Sequence, residues 1–189
     1  MNLIYKKLTP ALCEEYIRYF DNVAFSDHEE WAGCYCLESH LSDESQITRR
    51  EDRRKKAQEL IQSGILQGYL IYEGTQIVGW CNCNDKMNYS PIAEDKEYQT
   101  GINESGKIKV VYCMDIAPAY RGRGIAHQVL DKICEDAKRE GYLYIETYPL
   151  LNKQDPYPYK GPIKLYEKHG FIMYQQKSEL GFGIMRKDL

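Results

Sequence analysis

"KIKVVYCMDIAPAYRGRGIAHQVLDKICEDAKREGYLYIETY", residues Lys107 to Tyr148, decides how the chain is built. Its first part is β-branched and aromatic and stops at Pro118, the pattern of a strand. Behind the glycines, Ile125, Ala126, Val129, Leu130, Ile133 and Ala137 recur at helical spacing as one apolar stripe, which Gly141 ends. "YLYIETY" then reads as another strand. Between the first strand and the helix stand Arg121, Gly122, Arg123 and Gly124. A helix N-terminus has free N–H groups and about half a positive charge from aligned peptide dipoles. Anions bind there, glycines leave room for a phosphate to approach the backbone, and arginines add fork-shaped donors. A solvated basic turn is the bland reading. The position between the best strand and the best helix favours a phosphate seat. No P-loop spacing is present. Gly122-Arg-Gly124-Ile-Ala-His127 misses the third small residue of a dinucleotide fingerprint, although Glu146 lies about 20 residues on.

Outward from this unit, "LIYKKL" reads as a first strand, and Thr9-Pro10 as the cap and first turn of a helix with Leu12, Tyr16 and Phe20 on one face. Asp21–His40 has no period and reads as a loop with a short helix or strand at "GCYC". The charged stretch from Asp43 predicts an amphipathic helix closed by Gly64. Its basic run, Arg49 to Lys56, is interleaved with Glu51, Asp52 and Glu59 and reads as a solvated face. "GYLIYEGTQIVGWCNCN" predicts a hairpin turning at Glu73–Gln76. Asp85–Gly106 is polar, lacks a strong period and reads as functional or mobile. "IKLYEKH" is a short helix stopped by Gly170, and "FIMYQQK" and "FGIMRKDL" are closing strands. The expected fold class is α/β, in the mixed α+β sense: a single domain over residues 1–189. Its mixed sheet has six to seven mostly antiparallel strands, with helices on both faces.

The net charge of -3 gives no basic field for nucleic acid. Neither a leader pattern nor an apolar run long enough to cross a bilayer is visible, so the expectation is a cytoplasmic protein with no membrane partner. The 7 cysteines then read as reduced thiols. Cys34/Cys36 and Cys81/Cys83 are Cys-x-Cys pairs, closer than usual zinc spacing, and read as packing residues rather than metal ligands. With 17 tyrosines against 4 phenylalanines, the chain is suited to half-wet clefts as well as to a core.

Val110 to Tyr142 resembles the central motif of the GNAT superfamily of N-acetyltransferases, Arg/Gln-x-x-Gly-x-Gly/Ala at the start of a helix behind a strand, here Arg121, Gly124 and Ala126. "LYEKHGF", Leu165 to Phe171, resembles the second family motif, and the likeness runs from about Lys107 to Met173. It implies acetyl-coenzyme A as co-substrate, with Arg121, Gly122, Arg123, Gly124, Ile125 and Ala126 at its pyrophosphate. It implies that Met114, Asp115 and Ile116 pair their backbone with the pantetheine arm, and that a main-chain N–H there polarises the thioester carbonyl. Tyr166 matches the family tyrosine that gives a proton to the leaving thiolate. The Asn and Ala that many members carry ahead of this tyrosine are replaced by Tyr159-Lys160-Gly161-Pro162. For the base, Glu146 is the first candidate, with Asp115 and Asp85 as other options. Trp31, Tyr35 and Trp80 line an acceptor pocket or pack in the core.

The implied activity is transfer of an acetyl group to a primary amine, on a small molecule or a peptide, by direct attack in a ternary complex. The alternative is a non-catalytic, regulatory acyl-coenzyme A-binding domain. Oligomeric state stays open between monomer and homodimer.

Overall fold

The computed structural model describes residues 1–41, 47–99, 107–151 and 159–189. Strands β1 (Leu3–Lys7), β2 (Gly68–Glu73), β3 (Gln76–Asp85), β4 (Ile108–Ile116), β5 (Tyr144–Thr147), β6 (Ile172–Lys177) and β7 (Phe182–Asp188) form a seven-stranded sheet in the order β1-β2-β3-β4-β5-β7-β6. Neighbours pair antiparallel except β4 with β5, which run parallel. That exception follows from the connection: a strand-to-strand link through a helix brings the chain back in the same direction. The helix is α4 (Ile125–Arg139), which buries Ile125, Val129, Leu130, Ile133 and Ala137, the stripe expected from the sequence. With α5 (Ile163–Lys168) it covers one sheet face, over Val111, Cys81, Cys83 and Ile145. The opposite face carries α1 (Cys13–Asn22), α2 (Arg50–Gln62) and, between them, residues 23–41, packed over Trp80, Val110 and Tyr112.

Several local expectations change in detail. Thr9 makes no side-chain cap; its carbonyl accepts from Leu12 N–H at 2.9 Å, and a 3₁₀ turn over Pro10–Leu12 precedes α1. "GCYC" is a tight turn rather than a strand or helix, with Tyr35 at φ 43° and Cys36 at φ 51°. Side chains from elsewhere take its backbone carbonyls. Arg53 Nε donates to Gly33 at 2.7 Å, Arg53 Nη2 to Cys34 at 3.2 Å, and Asn82 Nδ2 to Cys36 at 3.4 Å. The basic run is therefore not simply a solvated face: Arg50 and Arg54 reach Asp21 and Arg53 holds the turn, so one side of α2 braces the segment before it. Within Asp85–Gly106, the chain forms 3₁₀ turns at Lys86–Asn88 and Lys96–Tyr98 and the short helix α3 (Ser90–Glu94); residues 100–106 lie outside the described residues. Among the described residues no helix is long and apolar enough to cross a membrane.

Two irregularities in β4 create the site. Val111 pairs with Cys83 and Cys113 with Asn82, so Tyr112 is an extra residue, a β-bulge. The bulge breaks the alternation of faces. Val111 faces the α4 layer, whereas Tyr112 and Cys113 both face the α1 layer, and Asp115 follows them there. Meanwhile β5 pairs with β4 only over Ile108–Val111. Beyond that point, among the described residues, the β5 side of β4 lacks a neighbouring strand.

Candidate active site

Two clefts meet at the carboxyl end of β4. The first, of about 700 Å³, lies on the α1 side and is lined by Phe25, Trp31, Glu38, Cys113, Asp115 and Tyr159, among others. The second, of about 480 Å³, lies at the start of α4 and is lined by Gly122, Gly124, Ala126, His127, Lys164 and Lys168, among others. Ile116 and Arg121 line both.

The second cleft contains the glycine turn that the sequence reading expects to seat a phosphate. Gly122 has φ 73° and Gly124 has φ 75°, a left-handed backbone that favours glycine. A Cβ built at either position meets nothing within 4 Å, so the mouth of the turn is open. The first bond of α4 runs from Gln128 N–H to Gly124 C=O at 3.4 Å, which leaves Ile125, Ala126 and His127 as first-turn donors.

The cations are arranged differently from the sequence expectation. Arg121 turns back: its Nε donates to Ile116 C=O at 2.9 Å and its Nη1 to Asp27 Oδ2 at 2.5 Å. Its guanidinium closes the end of β4 and forms part of the wall shared by the clefts. Arg123 lies over the Tyr120 ring, 4.9 Å from its centre. Lys164 and Lys168 supply further charge from α5. Sequence reading missed these two, although their i, i+4 spacing around Tyr166 puts them on one helix face.

At the floor of the first cleft stands Asp115, 8% exposed, accepting a hydrogen bond from the Tyr19 hydroxyl of α1. Burial pushes its carboxyl up to about 7; Tyr19 and the Arg121 charge pull it down, and Asp27 adds to the rise. The sequence reading placed this residue first among backbone contacts. The bulge at Tyr112 instead turns its side chain into the cleft, where Glu30 and Glu38 also line the wall.

Glu146 occupies a different environment. It is fully buried, accepts from Arg186 Nε and from the Tyr148 hydroxyl, each at 3.0 Å, and pairs with Lys86 Nζ at 3.1 Å. Its oxygens are held in a buried ion network between β5 and β7, and it lines neither cleft. Asp85 accepts from Met87 N–H at 3.0 Å as a turn cap.

Tyr166 is fully buried against Phe171 and donates to Lys160 C=O at 2.6 Å. Burial raises its hydroxyl well above the ordinary value, so it keeps its proton. The residue before Lys160 accepts at the neighbouring strand: Met114 N–H donates to Tyr159 C=O at 2.8 Å.

Of the three aromatic residues assigned to an acceptor pocket, Trp31 lines the first cleft, stacked on His28 at 3.9 Å. Tyr35 and Trp80 are fully buried; Tyr35 bonds Asp21, and Trp80 packs edge-on to Tyr16 at 4.9 Å. The cleft takes Phe20 and Phe25 instead. The Cys-x-Cys pairs lie on opposite sides of the sheet. Cys34 and Cys36 line the first cleft, while Cys81 and Cys83 pack under α4. Among the described residues no group of three or more His, Cys, Asp or Glu could hold a metal ion.

The fold recurs in solved structures. The GNAT domain of S. lividans PAT matches with a TM-score of 0.60 at 15% identity, covering 98% of this chain and 89% of that one. A GNAT-family acetyltransferase from Listeria monocytogenes matches at 0.59 and 14% identity, covering 99% and 95%. A chain of the NatC complex bound to Gag peptide and CoA matches at 0.56 and 16% identity, covering 100% and 99%. At such identities the likeness is one of fold. No curated protein sequence matches the chain. The model of the acetyltransferase (GNAT) family matches residues 25–171. That match spans the glycine turn at Gly122–Gly124, the bulged strand and the Tyr166 helix, and this chain belongs to the GNAT family of acetyltransferases.

Proposed function

We propose that this chain transfers an acetyl group from acetyl-coenzyme A to a primary amine held in the Asp115 cleft. The observation that carries the reading is the junction of the two clefts at Ile116 and Arg121, with a carboxyl pushed up to about 7 on the side away from the phosphate seat. The donor's phosphates fit the second cleft, where first-turn N–H groups, an open glycine turn and Lys164 and Lys168 converge. Bound there, the thioester supplies an activated acyl carbon.

The chain's own groups divide the remaining work. Asp115 takes a proton from the acceptor amine. A carboxyl near 7 is both partly ionised at neutral pH and basic enough to do so, whereas an ordinary one would be a weaker base. Tyr19 fixes its orientation. Phe25 and Trp31 present apolar walls that hold the acceptor's body and exclude water. Tyr166 keeps its proton and lines neither cleft; for it to give that proton to the departing sulfur, the segment carrying Lys160 must first release its hydroxyl. Arg121 ties the end of β4 to Asp27 and so fixes the angle between the clefts.

The test is release of free thiol from acetyl-coenzyme A in the presence of polyamines, aminoglycosides, amino acids and peptides with free N-termini. An amine-dependent rate, falling by two or more orders of magnitude in Asp115→Asn, supports the reading. Coenzyme binding without thiol release for any amine would favour a non-catalytic regulatory domain. Failure to bind the coenzyme at millimolar concentration would overturn both.

A further inference from the structure

The second cleft has a feature that phosphate binding by backbone alone does not use. His127, in the first turn of α4, lines the cleft and places its Nδ1 2.9 Å from Nε2 of His169. His169 Nδ1 lies 2.9 Å from Asp131 Oδ1, one turn further along α4. The three side chains form a line from the exposed carboxylate, through a largely buried imidazole, to the cleft.

Hydrogen-bond chemistry fixes the protons along this line. The contact to Asp131 requires a proton on His169 Nδ1, and the contact between the rings requires one shared proton. With both rings neutral, His169 Nε2 accepts from His127 Nδ1–H, and His127 is left with a bare lone pair on Nε2. One added proton turns that lone pair into an N–H, whichever ring carries the charge. The same nitrogen changes from an acceptor, which repels a phosphate oxygen, to a charge-assisted donor, which binds one.

The surroundings couple the two events. Lys164 and Lys168 of α5 line the same cleft, as does Arg121, which is paired with Asp27. Asp131 stands behind His169, with Tyr5 of β1 nearby. An arriving phosphate brings negative charge to the bare nitrogen and favours a proton there. We propose that His127, set by His169 and Asp131, is a proton-dependent contact for a phosphate of the donor, so that binding the donor takes up a proton. This rests on the donor site assigned above.

The test is calorimetric titration of the whole protein with coenzyme A, and separately with its 3′-dephospho form, in buffers of different ionisation enthalpy. The slope against that enthalpy counts protons. The expected result is net uptake for the wild type, abolished in His127→Asn, with affinity near pH 6 reduced about tenfold. Asp131 is 72% exposed, so Asp131→Asn serves as the variant least disturbing to folding, and it should diminish the uptake. The 3′-phosphate titrates near pH 6 by itself, but that contribution stays in every variant and cancels in the comparison. Uptake lost with both ligands puts His127 at the diphosphate; uptake lost only with coenzyme A puts it at the 3′-phosphate. Equal proton uptake by wild type and both variants, with coenzyme A still bound, would overturn this inference and leave the donor site standing. Absence of coenzyme binding would overturn both.

Discussion

Replacing Asp115 by Asn should stabilise the protein while abolishing its chemistry, and the stabilisation should depend on pH in a way the structure fixes. The ordinary carboxyl value is 3.8, and in the folded protein burial pushes it up to about 7. Between these values the unfolded chain has already lost a proton that the folded chain retains. The folded state is therefore favoured at low pH, and this advantage disappears as pH rises through 7. The full gap corresponds to about 4 kcal/mol, of which about 3 kcal/mol falls between pH 5 and pH 8.5. Asn keeps an oxygen for the Tyr19 hydroxyl but has no charge to bury, so it lacks the penalty. Urea midpoints measured for both proteins across this range should show Asp115→Asn gaining on the wild type by that amount, or roughly 6–12 °C in melting temperature. Every other titrating group is common to both proteins and cancels in the difference. A difference that stays flat with pH would mean that the carboxyl is not held protonated by its site, and the case for a base tuned to neutrality would fall with it.

Gly124→Val forces a β-branched residue to φ 75°, which costs roughly 1–3 kcal/mol, and it tilts the first-turn donors. Since an added Cβ meets no protein atom within 4 Å, an equilibrium titration should show donor affinity falling through the backbone alone; unchanged affinity would move the phosphates elsewhere. Glu146→Gln leaves Arg186 and Lys86 buried beside a neutral amide and should cost about 3–5 kcal/mol in urea unfolding, with turnover per folded molecule retained. Lost turnover at full stability would return Glu146 to the chemistry. Tyr166→Phe should lower kcat with little change in donor Kd, and an unchanged kcat would reduce the hydroxyl to its structural bond with Lys160.

The sequence was informative where a period runs unbroken. The stripe from Ile125 to Ala137 and the apolar run of β4 depend only on neighbours along the chain, so their pattern survives folding. The glycines of the seat were legible for the same reason, because the turn that needs them is local. Asp115 was not. Counting alternate faces from Val111 puts it under α4, and only the extra residue at Tyr112, set by pairing with β3, turns it to the α1 side. Glu146 looked free because its partners, Lys86 and Arg186, are distant in sequence. Trp80 and Tyr35 looked like cleft residues because an aromatic side chain suits a core and a pocket equally well. The arginines of α2 read as solvated because the carbonyls they hold lie in the non-periodic turn at Gly33–Cys34.

The contacts of Tyr159 and Lys160 bear on how the donor gains affinity. Successive carbonyls of this pair take the Met114 N–H at 2.8 Å and the Tyr166 hydroxyl at 2.6 Å. In the proposed reaction these are the two donors that the thioester would use. Gly161, at φ 76°, lets the chain pass directly over the tyrosine, since a Cβ there would stand 2.6 Å from its hydroxyl oxygen. Lys160 pins the segment through its ammonium, 3.5 Å from Glu38 and over the Tyr112 ring. A pantetheine arm entering at this edge must therefore replace two existing hydrogen bonds rather than fill empty ones. Exchanging one amide-type bond for another yields little net free energy. The arm's own pairing then sets geometry more than affinity, and the binding energy has to come from the phosphate end, where donors stand open. A donor truncated to its pantetheine half should bind far more weakly than its size implies, while a nucleotide fragment carrying the phosphates should retain most of the affinity.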